Sequence, residues 1–232
     1  MKAFVGVVIA MAVLFAGSAQ AGTVSSKQTD RIRAAADVLR EIHAVPDKDV
    51  PQNLWDKADC VIVVPSLKKA AFIVGGEYGK GLMSCRRSGG WSAPIFMELE
   101  KGSWGLQAGA QSIDLVLLVM NEKGMEKLLN NKVTLGAEAS VAAGPVGRDA
   151  RAATDAQMNA EILSYSRAQG LFAGIDISGG VLKPDKSENA DLYGKEVVPR
   201  DIVMANNVKA PSEVSPFLDA LKREAVGTSG KK

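Results

Sequence analysis

A single histidine, His43, stands in a chain of 232 residues. That excludes a multi-histidine metal centre, and any Ser–His or Cys–His catalysis would have to use this one ring. Aromatic residues are sparse at 5%, and neither sign of charge dominates, with 28 Lys and Arg against 26 Asp and Glu. A general nucleic-acid binder carries a basic excess, and none is present here. Beyond residue 21 no stretch approaches the roughly 18 consecutive apolar residues of a membrane-spanning helix. Glycine is what the chain has in surplus, at 23 residues. That density suggests tightly bent or closely approaching strands. The 47% apolar and 23% charged content is that of a globular chain, of a length that fits one domain.

The first 21 residues read as an export signal. Lys2 gives a short positive start, residues 3–15 are an uncharged apolar run, and Ala19-Gln20-Ala21 forms a small-residue cleavage site. Cleavage is expected after Ala21, with residence in a bacterial periplasm. Gly22, in place of cysteine, removes the lipoprotein pattern, and no twin arginine is present. The two cysteines, Cys60 and Cys85, form an even pair in what would be an oxidising compartment, which reads as a disulfide. Two buried thiols on neighbouring strands are the alternative.

The expected organisation is a signal peptide (1–21), an N-terminal helix and connection (22–52), a β-rich domain with a closing helix (53–226) and a loose tail (227–232). Residues 23–44 carry a helical period, with Ile32, Ala35, Ala36, Leu39, Ile42 and His43 on one face. The opposite face mixes acids and bases, as a solvated surface does, and His43 reads as a packing residue. Residues 53–58 suggest a short second helix. The β-branched run 61–64 predicts a buried strand stopped by Pro65. Residues 70–74 and 81–87 predict a strand pair turning through the glycine-rich stretch 75–80. Residues 91–100 alternate strictly, Lys101-Gly102-Ser103 looks like a hairpin turn, and 113–120 reads as a central strand. A helix is expected at 122–130, strands at 161–169 and 171–182, and a closing helix at 216–226. Short strands with helices gathered at the ends predict an α+β fold: a strongly curved antiparallel sheet or small barrel-like core with flanking N- and C-terminal helices.

Catalytic motifs come close and fail. Gly79-Lys80 has the end of a phosphate loop, but Val74 replaces its first glycine and Gly81 its hydroxyl residue. Gly90-Trp91-Ser92-Ala93-Pro94 starts like a nucleophile elbow, yet Pro94 stands where the last glycine belongs. Glu98 and Glu100 share a strand face, and exposure to water explains them more simply than acid–base chemistry. No enzyme and no cofactor is expected. Lys68, Lys69, Lys80, Arg86 and Arg87 form a basic cluster if their strands pair. It reads either as edge protection or as a patch for anionic headgroups. Arg148 follows a Gly144-Pro145-Val146-Gly147 turn whose backbone N–H groups could add donors for a phosphate.

These segments also follow one another in a recognisable order. Cys60-Val61-Ile62-Val63-Val64-Pro65-Ser66-Leu67-Lys68-Lys69-Ala70 leads into Gly75-Gly76-Glu77-Tyr78-Gly79-Lys80-Gly81. Trp91-Ser92-Ala93-Pro94, Gly102-Ser103-Trp104-Gly105, Val133-Thr134-Leu135-Gly136 and Gly144-Pro145-Val146-Gly147-Arg148 come next. Tyr165-Ser166-Arg167-Ala168-Gln169-Gly170-Leu171-Phe172-Ala173-Gly174 and Leu192-Tyr193-Gly194 complete the series. From about residue 53 to 221 this ladder resembles the lipid-binding SYLF domain family, in its secreted bacterial branch. The resemblance implies a β-rich domain with flanking helices, affinity for phospholipid membranes and no catalytic activity. Eukaryotic relatives bind phosphoinositides, and some bind actin. Lipid binding there is attributed to a basic amphipathic N-terminal helix. Its match here carries Lys27, Arg31, Arg33 and Arg40, interrupted by Asp30, Asp37 and Glu41. In a periplasm the implied partner is an anionic phospholipid surface, with actin unexpected there. A protein partner in the envelope, without lipid affinity, is the alternative.

Overall fold

The computed structural model describes residues 24–42, 49–71, 74–104, 109–130, 132–147, 157, 159–168, 170–194, 197–205 and 208–226. Its centre is strand β1 (Cys60–Ala71), which pairs antiparallel with β2 (Val74–Arg87) on one side and with β5 (Gly109–Val119) on the other. Outside β2 lie β4 (Ile95–Trp104), β10 (Val181–Pro184) and β6 (Val133–Thr134). Outside β5 lie β8 (Ile162–Ala168) and β7 (Val141–Ala143). The short strands β3 (Gly90–Trp91) and β9 (Leu171–Gly174) pair with β2 and β8. All pairs are antiparallel except β7 with β8, so the sheet is mixed, and it curls into a half-barrel. The α+β expectation, with flanking terminal helices, agrees with this architecture.

Both faces of the sheet are buried, which explains why residues 61–64 run apolar without alternating. Val61 and Val63 point to one core, where α1 (Ser26–Arg40), α2 (Gln52–Lys57) and α6 (Ser215–Val226) cover the sheet. Cys60, Ile62 and Val64 point to the other, roofed by α3 (Glu122–Asn130) and α5 (Pro199–Met204). The period read in α1 is the buried face: Ile32, Ala35, Ala36, Leu39 and Ile42 are all fully buried. His43 lies outside the described residues, as does the far end of the predicted helix. Among the described residues no helix is long and apolar enough to cross a membrane.

Three turn expectations are corrected. Pro65 does not stop β1. The strand passes through an irregularity between Val64 and Leu67, where Ser66 takes φ 55° and its N–H donates to the Asp114 carboxylate at 2.9 Å. Proline is tolerated there because a bulge asks nothing of its missing N–H. The stretch 75–80 is not a turn but the first half of β2, paired with β1 and with β4. Lys101-Gly102-Ser103 likewise lies inside β4, opposite Glu77, Gly76 and Gly75. Strand β4 is followed in sequence by β5, yet β2 and β1 lie between them in the sheet.

The surplus glycine therefore serves close approach more than turning. A Cβ built on Gly81 would lie 2.1 Å from the Val63 carbonyl oxygen, and one on Gly79 2.6 Å from a Val64 methyl. Both contacts fall where β2 crosses the irregular part of β1. Three residues along the β1–β2 register from the Val63–Leu82 pair, Cys60 and Cys85 face each other and are joined as a disulfide, fully buried in the second core. The bridge is thus formed, and the buried-thiol alternative is set aside.

Gly81→Ala is expected to destabilise the fold by about 3 kcal/mol, because the clashing atom is backbone. Gly102→Ala, with nothing within 4 Å of the new methyl, should stay within about 0.5 kcal/mol of the parent. Urea unfolding midpoints compare the two. Reduction of Cys60–Cys85 should cost about 3 kcal/mol in the same assay.

Candidate functional site

Helix α1 starts at a capping box. Ser25 Oγ accepts from the Gln28 N–H, and Gln28 Oε1 accepts from the Ser25 N–H at 2.7 Å. With its apolar face committed to the core, α1 exposes Lys27, Asp30, Arg33, Asp37 and Arg40. Arg40 is paired with Asp37 one turn away. Arg31, at the edge of this face, reaches across to α4 (Lys186–Tyr193). Its guanidinium pairs with Glu188 and stands 5.7 Å from the centre of the Phe96 ring. Gln28 donates to Asp191 on the same helix.

Helix α4 is capped by Asp185, which accepts from the Glu188 N–H at 3.1 Å and from the Ser187 hydroxyl at 2.7 Å. Lys80 comes up from β2 between the two acids, 2.5 Å from Asp185 and 3.0 Å from Glu188. Burial works against the Lys80 ammonium, but its two carboxylate bonds outweigh that and raise its pKa above the ordinary lysine value. Burial also opposes the Asp185 charge, and the Lys80, Glu188 and Ser187 donors reverse it, leaving the carboxyl below its usual range.

Between α1, the irregular part of β1, β2 and α4 lies a groove of about 730 Å³. Lys27, Arg31, Lys68, Tyr78 and Lys80 line it, with Asp30, Glu188 and Asp191 as its acids. Arg31 and Lys80 are neutralised by their acid partners. Lys27 and Lys68 are exposed and make no ion pair among the described residues. Tyr78, the register partner of Lys68, is 44% exposed beside them. The groove therefore presents two ammonium groups outside any ion pair among the described residues, next to an aromatic ring, with the carboxylates of Asp30 and Asp191 also in its lining.

Four of the residues expected from the sequence are thus brought together, two from each of two separate expectations: Lys68 and Lys80 from the strands, Lys27 and Arg31 from the helix. Arg86 and Arg87 are not among them, and the single basic patch does not form. Arg86 stands eight positions beyond Tyr78 along β2, which is about 26 Å of extended chain. There it donates to the Ala58 and Trp55 carbonyls, both at 3.0 Å, and lies over the Trp91 ring at 4.4 Å. Arg87 donates to the Val203 carbonyl at 3.0 Å. Both arginines fasten helices to the sheet end. Lys69 stands opposite Glu77 in the β1–β2 register, and Arg148 lies outside the described residues. Arg33 and Arg40 are exposed on α1 and do not line the groove. Glu98 and Glu100 both face Lys183, at 3.7 and 3.1 Å. Among the described residues no group of three or more His, Cys, Asp or Glu is placed to hold a metal ion.

Sequence reasoning missed α4 and with it Asp185, Glu188 and Asp191. The signal was present: Asp185 three residues before Glu188 is an N-cap with an acid in the first turn. Tyr78 was read only as part of a glycine-rich turn.

Comparison with known proteins places the chain in a family. The family described as "Ysc84: Las17-binding protein actin regulator" matches residues 100–224, more than half of the chain. SH3 domain-containing YSC84-like protein 1 of Xenopus laevis is 29% identical over 205 residues, covering 85% of this chain and 61% of that protein. Protein YSC84 of Saccharomyces cerevisiae is 29% identical over 183 residues, covering 77% of this chain and 39% of its own length. LAS seventeen-binding protein 3 of the same yeast is 28% identical over 183 residues, with the same coverage. The chain thus spans between two-fifths and three-fifths of the length of these relatives. The match bears out the SYLF resemblance read from the motif ladder.

The Lys80 network makes a pH-dependent prediction. Asp185, with a lowered pKa, contributes stability that is complete above the ordinary carboxylate value and is lost as pH falls through the lowered one. Lys80, with a raised pKa, contributes below the ordinary lysine value and loses it only as pH rises through the raised one. Lys80→Met should therefore cost about 2 kcal/mol at neutral pH, since Asp185 keeps its Ser187 and Glu188 donors. Much of that difference should vanish at the acid end of thermal melts run from about pH 7 to pH 2.

Proposed function

The chain belongs to the Ysc84 family, and on that premise we propose that it is a non-enzymatic domain that docks on an anionic phospholipid surface after export from the cytoplasm. The observation that carries this reading is the pair of ammonium groups outside any ion pair among the described residues, Lys27 and Lys68, lining one groove together with Tyr78. The export signal read in residues 1–21 and the buried Cys60–Cys85 disulfide support an oxidising compartment.

The mode of contact is docking, not insertion. Ile32, Ala35, Ala36, Val38 and Leu39 already fill the first core, so α1 has no free apolar face to bury in lipid. Attraction then comes from a few cations, each worth about 1 kcal/mol near an anionic membrane and weakened by salt. Tyr78 suits the water–lipid boundary, with an apolar ring and a polar tip.

A protein partner is the second reading. It is favoured by the names of relatives, one of which is called a LAS seventeen-binding protein. Those relatives are longer than this chain, and their partners are carried over only as a class.

Co-sedimentation of the chain from Gly22 onward with anionic and neutral vesicles tests the proposal. Binding to anionic vesicles at low salt is expected, falling steeply as salt rises. Lys27→Glu with Lys68→Glu should reduce it about tenfold. An absence of binding at low salt, or binding indifferent to the double reversal, would overturn the surface site. A stoichiometric protein adduct on crosslinking, without vesicle binding, would select the second reading.

A further inference from the structure

Helix α4 borders a second groove, of about 870 Å³, whose chemistry differs from the first. Leu129 from α3, Ala190 from α4 and the Val197-Val198-Pro199 segment form apolar walls, while Lys132, Lys183 and Lys186 stand around them. This volume lies within the range of small-molecule pockets, roughly 300–1,000 Å³. Val198 is 51% exposed, the most open of the large hydrophobic side chains among the described residues.

The polar groups inside are already occupied. Asn189 is fully buried and bonded in both directions to the Phe96 backbone, at 2.8 and 2.9 Å. Asp185 is held by Lys80, Ser187 and the Glu188 N–H. Glu98 faces Lys183 at 3.7 Å. Lys132 and Lys186, in contrast, are exposed and make no ion pair among the described residues. The groove therefore offers two things to a ligand: apolar surface open to water, and two ammonium groups outside any ion pair among the described residues, of which Lys132 also feels the charges of Glu100 and Glu138. A ligand that answers both has an alkyl body and one anionic end.

We propose that this groove binds a single anionic amphiphile, with its chain against Leu129, Val197 and Val198 and its carboxylate or phosphate toward Lys132 and Lys186. A free fatty carboxylate and the end of a bilayer phospholipid share this chemistry. The site does not include Lys27 or Lys68, so it stands independently of the vesicle-docking surface.

Calorimetric titration of the chain from Gly22 onward with octanoate, decanoate and dodecanoate, each below its micellar concentration, tests it. Affinity should rise along the series, by up to about fourfold for each added methylene. Dodecanol should bind about tenfold more weakly than dodecanoate, for want of the charge. Val198→Asp should lower dodecanoate affinity more than tenfold, and Lys132→Glu with Lys186→Glu about tenfold. All three positions are exposed, and unchanged thermal melts would show that the variants fold. No binding, affinity independent of chain length, or a folded Val198→Asp variant that binds like the parent would overturn the proposal.

A second arm separates the two sources. If Val198→Asp loses dodecanoate but keeps anionic-vesicle binding, the ligand is a free amphiphile. If it loses both, the ligand is bilayer lipid. The Lys27→Glu, Lys68→Glu variant should lose vesicles through the first groove and still bind dodecanoate, so failure of one site is distinguishable from failure of the other.

Discussion

A sheet that is apolar on both faces must be covered twice, and most of this molecule answers that requirement. Along β1, Cys60, Ile62 and Val64 enter one core while Val61 and Val63 enter the other. One cover is built from the helices at the two ends of the domain, the other from α3 and α5. Grooves remain where the covers do not meet. Helix α4 occupies one such seam, with Leu192 in the first core and Tyr193 packed against both. Both candidate ligand sites open beside it. The position of the sites is thus a consequence of how the sheet is buried.

The same requirement decides what α1 can do. A free helix of this sequence would read as weakly amphipathic, with a mixed-charge outer face. Packed on the sheet, it has no apolar surface left and acts as one wall of a polar groove. Its cations divide accordingly: Arg31 ties α1 to α4, while Lys27 remains open beside Lys68. Attachment and open charge fall to different residues of one helix, less than two turns apart.

Much of the fold was legible in the sequence because burial leaves a period. The α1 face and the closing helix carried one and stand where the period put them, as does the helix expected at 122–130, while the alternating 91–100 stretch is broken at residues 92–94 and continues as a strand only from Ile95. The misreadings share a physical cause. Glycine and proline mark turns in local reasoning, yet here Gly79 and Gly81 make room for a crossing strand and Pro65 sits in a bulge. Whether a glycine bends a chain or admits a neighbour depends on the neighbour, which one sequence does not name. The basic residues were misgrouped similarly. Lys68 and Lys80 fall within one groove, while Arg86 and Arg87 lie at the far end of β2, a separation set by register and not by spacing along the chain. Helix α4 has almost no apolar stripe, so only its capping residues announced it.

The helices that cover the first core come from opposite ends of the domain: α1 packs against α6, the last element described. During synthesis the chain therefore makes one half of this cover first and the other half last. Phe217, Ala220 and Leu221 share a core with Ile32, Leu39 and Ile42, so until α6 emerges the growing chain presents an uncovered apolar face. Closure waits for α6, and a chain halted before it would resemble a client for a chaperone more than a smaller version of the domain.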